Sequence, residues 1–436
     1  MVSTSPVTQH HPALQRAPVL LFFLGITLNQ TSVLFDINLS IADFFALLLL
    51  VLTLLTARLL VPFGPTIYFL ALSILVLIMG GFVVPNVISL DQSYLDVLTD
   101  YLKLATSFAY FLLGFNIVRA GQARVVLRAF AFMAVVIGGI GALQTAIPAL
   151  PRLDFMFYYE IRFTGLMSDP NYFAVIQLVA MAVLWHDQDI SRRIRYPSLI
   201  ILAASVLASG SKTGMLALLI FLVWRGLPTV FSFSNRSRYI SPYRAVLIGL
   251  VVCAPVLLLI VMLDYSMRMS LASGLDQVPA LSRLTPLLLD FEAGVEGDGS
   301  GRDSAWFNAI QIIGLFPLFG VGMGTYLEVA TEFTDVPVLA HNTFLQIAAE
   351  WGLIFTAIFL VWVIILFLRR PPLGANLALW HSTRDALLVL MIGSAGISLQ
   401  NSRLLWFIIG MLLAVHVVTK TRQSIQQRSL HQEVQQ

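Results

Sequence analysis

The chain has 436 residues, 58% of them hydrophobic and only 11% charged, with mean hydropathy +0.86. Soluble domains carry about 25% charged residues, so this composition excludes an ordinary soluble domain. The net charge of +3 is small and the arginines are scattered over short loops, which excludes a nucleic-acid-binding face. One cysteine, Cys253, cannot form an internal disulfide.

In chain order, the first apolar run, residues 17–35, shows no small-residue cleavage site and reads as an uncleaved span. Further runs follow at 40–60, 66–84, 98–118, 123–148, 171–185, 197–210, 213–231, 245–263, 341–368, 384–399 and 402–418. Each approaches the length that crosses the hydrocarbon of a bilayer, so the pattern predicts about twelve membrane helices. Those at 171–185 and 197–210 are short, which suits a tilted or re-entrant path. The expected fold is an all-α polytopic membrane protein, one integral membrane domain over 1–436. Within it lie a long external loop at 264–340, containing short helices, and a tail at 419–436.

Charge placement predicts orientation. Most of the 26 basic residues, among them Arg58, Arg119, Arg128, Arg193, Arg225, Arg369, Arg384 and Lys420, fall on one side under that helix count. The positive-inside rule makes that side cytoplasmic, with both termini, and leaves the 264–340 loop outside. Acidic residues outnumber arginines in that loop. Within it, Gly294, Gly297, Gly299 and Gly301 mark a flexible acidic stretch. SAWFNAIQIIGLF then has helical spacing, with Asp303 or Ser304 as N-cap. Pro317, Gly320, Gly322 and Gly324 mark a tight turn after it.

Four cationic or titratable side chains fall at the predicted external boundary. Arg302 precedes the loop helix; guanidinium binds phosphate oxygens bidentately and stays charged. A solvated arginine paired with Asp298 or Asp303 is the plainer account of it. Arg162 opens RFTGLMSDPNYF, in which Asp169-Pro170-Asn171 reads as a capped helix start. Lys212 sits in the small-residue turn ASGSKTG, either as a phosphate-binding point charge or as a lysine snorkelling to the interface. His341, followed by Asn342, titrates near neutrality and can act as acid or base; it can equally be an inert interfacial histidine. On a continuous helix, Gly352 would share a face with His341 and permit close approach of another helix or a ligand. Glu350 would lie about 13 Å deeper along it. Intramembrane acids are usually functional or paired, and Lys103 and Arg403 are its candidate partners.

Several cations at an outer boundary suit a lipid diphosphate, whose head is anionic while its tail stays in the bilayer. A base beside them suits activation of a hydroxyl. Together they describe glycosyl transfer from a polyprenyl diphosphate carrier, with arginine neutralising the leaving group and no metal or other cofactor required. The sequence shows no Asp-x-Asp pair in an external loop and no clustered histidines.

These motifs resemble the O-antigen ligase and polysaccharide polymerase superfamily of bacterial membrane glycosyltransferases. The ligase pattern runs His, then Asn, Ser or Gln, nine residues, Gly, two residues, and Gly, Thr or Tyr. His341, Asn342 and Gly352 fit; Phe355 departs at the last position, with Thr356 after it. GRDSAWFNAIQIIGLFPLFGVGMGTY resembles the family's Arg–Pro-x-x-Gly-x-Gly run and aligns Arg302 with its loop arginine. RFTGLMSDPNYFA matches an Arg-x-x-Gly and Asp-Pro-Asn stretch at Arg162, Gly165, Asp169, Pro170 and Asn171. In ASGSKTG, Lys212 stands at the family's cation.

The resemblance covers about residues 160–365 by motif. It implies a ligase-like fold related to the membrane glycosyltransferase class GT-C, in the bacterial inner membrane with its site facing outward. It implies an undecaprenyl-diphosphate-linked oligosaccharide donor, and a glycan or lipid A-core acceptor. Arg162, Lys212 and Arg302 would bind phosphate and His341 would act as base. Asn342, Gly352, Glu350, Asp169 and Asn171 would support them. Transfer would invert the anomeric centre. Phe355 and Lys212 favour a polymerase of exopolysaccharide or O-antigen repeats over a ligase; a protein O-oligosaccharyltransferase would differ only in acceptor. Other envelope polysaccharide assembly proteins would be partners. From a different class, a secondary transporter or lipid-linked glycan flippase shares the helix count. Such proteins place polar groups at the midplane of repeated halves, and no such halves are visible here.

Overall fold

A computed structural model describes residues 12–31, 39–56, 58–91, 93–147, 149–159, 161–230, 265–276, 282, 285–289, 302–334 and 338–417. The helices are α1 (Pro18–Thr27), α2 (Ile41–Leu55), α3 (Phe63–Ile88), α4 (Tyr94–Arg119) and α5 (Ala123–Ala146), then α6 (Pro170–His186), α7 (Arg192–Ala208) and α8 (Lys212–Val230). After them come α9 (Arg302–Leu315), α10 (Tyr326–Thr334), α11 (Thr343–Leu368), α12 (Leu377–Ser394) and α13 (Arg403–Val417). Three further short helices are Pro12–Gln15, ahead of α1, and Tyr265–Asp276 and Thr285–Leu289, in the expected loop. Among the described residues the only strands are the antiparallel pair β1 (Phe157–Tyr158) and β2 (Arg162–Phe163).

The all-α expectation therefore holds for the described residues, and each expected span that falls among them is a helix. The span expected at 245–263, Cys253 and the acidic glycine-rich stretch lie outside them. Among the described helices, four are long and apolar enough to cross a membrane: α3, α4, α5 and α11. The apolar helices α1, α2, α6 and α13 are shorter.

Two boundaries differ from expectation for physical reasons. The third span continues to Ile88 rather than stopping at 84, because its turns loosen into a π segment at Met79–Val83. There the backbone of Met323 enters and donates to the Val76 carbonyl (3.3 Å). Such bulges accommodate an inserted group without ending the helix. α12 begins at Leu377 rather than 384, with Asn376 as N-cap, its side chain accepting from the Leu379 amide (3.1 Å). Arg384, expected in a cytoplasmic loop, is instead buried inside this helix, its guanidinium 4.2 Å from the Trp380 ring centre.

The core is built around α6. Residues 173–184 are buried on every side of the helix, the pattern of a helix surrounded by others rather than an amphipathic one. It packs against α5, α7, α8 and α12. At its C-terminal end Asp385, fully buried, accepts from Trp224 Nε1 (3.2 Å) and Arg225, and meets His186 Nε2 at 2.8 Å. Next to it Asp187 receives a bidentate pair from Arg128 at 2.6 and 2.7 Å. Those charges fasten α5, α6, α8 and α12 at one end. The opposite end of α6, its N-terminus, opens onto the candidate site.

Candidate site at the helix N-termini of α6, α8, α9 and α11

His341 stands one residue ahead of the α11 N-cap. Asn342 is that cap: its Oδ1 accepts from the Phe344 and Leu345 amides (2.9 and 3.3 Å), which satisfies donors a helix start leaves open. His341 itself has φ 47°, in the left-handed region. Histidine and asparagine tolerate that region better than most residues, at a cost of roughly 1–2 kcal/mol. The His341 side chain is exposed at this turn. Behind it, Thr343 donates to the Ile397 carbonyl and accepts from the Leu399 amide, both at 2.7 Å, so the α12–α13 connection braces the helix start.

The α6 N-terminus is built alike. Asp169 accepts from the amides of Asn171 (2.7 Å) and Tyr172 (3.0 Å), and Pro170 occupies the first turn, where its missing N–H costs nothing. Asn171 Oδ1 accepts from Arg162 Nη2 (3.1 Å) and from Ser211 Oγ (2.8 Å). Arg162, held on β2, also donates from Nε to the Ser209 carbonyl (3.0 Å). Ser211 accepts in turn from the Gly214 amide (2.9 Å) at the start of α8, whose first residue is Lys212. Arg162, Asn171 and the residue preceding Lys212 therefore form one hydrogen-bonded group, although they are far apart in sequence.

Arg302 is the first residue of α9 rather than preceding it. The Arg302 guanidinium and the Asp169 carboxylate both lie within electrostatic reach of the His341 ring. Partial enclosure, then the Arg302 charge, hold the imidazole below its usual pKa, and Asp169 opposes them. The net shift favours the neutral imidazole, the form that accepts a proton. Alongside, α9 and α10 enclose a cleft of about 570 Å³ lined by Asp303, Ser304, Phe307, Asn308, Gln311 and Phe333, among others.

The glycine turn after α9 explains how these parts meet. α11 is not one continuous helix: Gly352 has φ 74° and ψ 166°, and the helix breaks there. Into the break goes the first part of the segment 317–324, up to Gly322. Val321 N donates to the Ala349 carbonyl (2.8 Å), Gly322 N to Glu350 (2.9 Å), and Leu353 N to Pro317 (2.8 Å). A Cβ on Gly320 would lie 2.5 Å from the Glu350 carbonyl oxygen, and one on Gly352 would lie 2.3 Å from that of Leu318. The expected shared helix face of His341 and Gly352 is thus corrected: His341 lies outside the helix, and Gly352 admits a loop. This insert connects α9, which begins with Arg302, to α11, which follows His341.

Glu350 has a different partner from those expected. Gln346 Nε2 donates to its Oε1 (2.7 Å), whereas Lys103 pairs with Asp100, and Arg403 forms a bidentate pair with Asp43 (both contacts 2.6 Å). The Asp43–Arg403 pair, joined by Tyr110 (2.9 Å), was not predicted as a unit, although an acid and a base in apolar helices are signals in themselves. Ser402, beside Arg403, bonds Tyr172 (2.8 Å) and links this pair to the α6 N-terminus. Among the described residues, no group of three or more His, Cys, Asp or Glu is arranged to hold a metal ion.

Residues 197–360 match the family model described as O-antigen ligase. The matched region contains Lys212, Arg302, His341, Asn342, Glu350 and Gly352; Arg162, Asp169 and Asn171 lie N-terminal to it. No curated protein matches the chain.

Proposed function

We propose that this chain, whose residues 197–360 match the O-antigen ligase model, is a membrane glycosyltransferase of the ligase or polymerase type acting at the outer face of the bacterial inner membrane. On this reading about twelve helices span the bilayer, with both termini cytoplasmic and the α6, α8, α9 and α11 N-termini outward. The donor is a glycan on undecaprenyl diphosphate. The observation that carries the reading is the convergence of Arg162, Asn171 and Ser211 in one group with His341 close to Arg302 and Asp169.

Arg162, Lys212 and Arg302 bind the diphosphate, aided by the positive ends of the helix dipoles. Neutral His341 takes the proton from the acceptor hydroxyl as that oxygen attacks the anomeric carbon. The new C–O bond forms as the bond to the carrier diphosphate breaks on the opposite side, so the centre inverts. The departing negative charge falls on guanidinium and ammonium groups, which makes the transfer metal-independent. The α9–α10 cleft, with aromatic rings beside a carboxylate and amides in the helix that Arg302 begins, suits an acceptor glycan. Among acceptors, a growing repeat-unit glycan is preferred to lipid A-core, because Phe355 departs from the ligase pattern. Phe355 lies past the Gly352 break, where its carbonyl accepts from Tyr68 (2.8 Å).

The test is turnover by purified protein of a lipid-diphosphate oligosaccharide in detergent, with carrier diphosphate and glycan length both measured. Release of diphosphate with longer or transferred glycan is expected. A transporter or flippase would give no product, since detergent leaves no compartments.

A further inference from the structure

Glu350 is a buried acid in an apolar helix, 7% exposed, and the mechanism above gives it no step. Burying such a group is costly unless its position serves something. We infer that Glu350 is a positioning residue that sets the His341 turn, acting through Gln346. This inference rests on His341 being the acceptor base.

The geometry fixes each link. Gln346, fully buried, accepts at Oε1 from the Ala340 amide (2.9 Å). That contact orients the amide group: its oxygen faces a backbone donor, so its NH2 must face Glu350. A flipped Gln346 would set donor against donor at Ala340 and acceptor against acceptor at Glu350. Glu350 Oε1 accepts that NH2 at 2.7 Å. Ala340 immediately precedes His341, whose φ of 47° needs support from its surroundings to persist. The side chain of Glu350 thus reaches, through Gln346, the Leu339–Ala340 peptide, one residue ahead of His341.

The main chain of the same residue reaches the loop that follows the Arg302 helix. The Glu350 carbonyl accepts from Gly322, in the insert that follows α9. Glu350 is therefore the point where the approach to His341 and the exit from the Arg302 helix are tied together. Asp100 and Lys103 lie within electrostatic reach of it, and its Oε2 has no hydrogen-bond partner among the described residues. The acceptor role at Oε1 needs a carbonyl-type oxygen at that spot and no charge.

The test is an exchange series on the full-length protein in detergent, read by kcat and donor KM and by hydrogen exchange of the peptide covering 338–345. Glu350→Leu and Gln346→Leu should each lower kcat about 10- to 100-fold, the loss expected for a displaced reacting group. Donor KM should stay within about twofold, and exchange at Ala340 should accelerate. Glu350→Gln keeps an acceptor oxygen and should retain most activity. Gln346→Glu keeps the acceptor for Ala340 but sets two carboxyls together, so its activity should fall as pH rises and both ionise. The double exchange Gln346→Glu with Glu350→Gln rebuilds the chain with polarity reversed and should restore activity and remove that alkaline loss.

Leucine variants with normal kcat and normal exchange would overturn the inference. So would an inactive Glu350→Gln, or a double exchange no better than Gln346→Glu alone. If the leucine variants fail to fold, the comparison of Gln346→Glu with the double exchange decides. Failure of the functional reading looks different: full turnover in His341→Ala, while exchange at Ala340 still depends on Glu350.

Discussion

Gly352→Ala should disable this protein by expelling the 317–324 insert. The added Cβ would stand 2.3 Å from the Leu318 oxygen and 2.5 Å from the Leu318 carbon and the Phe319 nitrogen, all backbone atoms that cannot swing aside. The residue also has φ 74°, which costs a non-glycine residue roughly 1–2 kcal/mol. Relieving the clash costs about 1–3 kcal/mol if the insert shifts slightly. If it leaves, the bonds from Val321, Gly322 and Leu353 go with it, at about 0.5–1.5 kcal/mol each. Destabilisation of about 3–5 kcal/mol follows, within the range of severe single substitutions. Thermal unfolding in detergent measures it, and turnover should fall with it because α9 loses its tie to α11. Gly139→Ala, inside α5, is the control: the new Cβ would lie 3.7 Å from Ile201 Cγ2 of α7, an ordinary contact. That variant should equal or exceed the wild type in stability. Wild-type stability and turnover in Gly352→Ala would refute the account of the break.

The remaining predictions concern charge and the cleft. Arg302 lowers the His341 pKa and Asp169 raises it, so the acid limb of the pH–rate profile should move to higher pH in Arg302→Gln and to lower pH in Asp169→Asn; stopped assays across pH measure both. Turnover should fall in Arg302→Gln as well, since it also binds diphosphate. Asp385→Ala should cost about 3–5 kcal/mol, because Arg225 and Arg384 would remain in a buried site without their carboxylate. Thermal unfolding tests it. Phe307→Ala and Gln311→Ala, both in the α9–α10 cleft, should raise acceptor KM several-fold while donor KM stays unchanged.

Much of the site was legible because its pieces are local. Asp169 is a helix cap, and capping needs a short polar side chain just ahead of an apolar run, which the sequence displays; Asn342 caps α11 in the same way, although the span was expected to start at 341. The glycine turn was visible as Pro317, Gly320, Gly322 and Gly324. Its destination was not: a loop inserting into a broken helix satisfies backbone groups of both, and nothing in the apolar run around Gly352 lacks helical periodicity. For the same reason Gly352 read as a residue on a continuous face. Glu350, Lys103 and Arg403 were recognisable as costly charges, but their pairing depends on which helices are neighbours. Asp43 lies near the chain's start and Arg403 near its end, and only the packing of α2 beside α13 joins them. Arg384 failed as a loop residue because its partner Asp385 follows directly and Trp380 covers its face, so a polar segment folds into the core.

The central claim is that His341 removes the acceptor proton while cations hold the carrier diphosphate. Its most direct measurement is diphosphate release from a lipid-diphosphate oligosaccharide by purified wild type, His341→Ala and Arg302→Ala, each checked for normal folding. Release and glycan transfer by wild type, with both variants inactive, are predicted. Wild-type rates in folded His341→Ala and Arg302→Ala would contradict both the site and the mechanism.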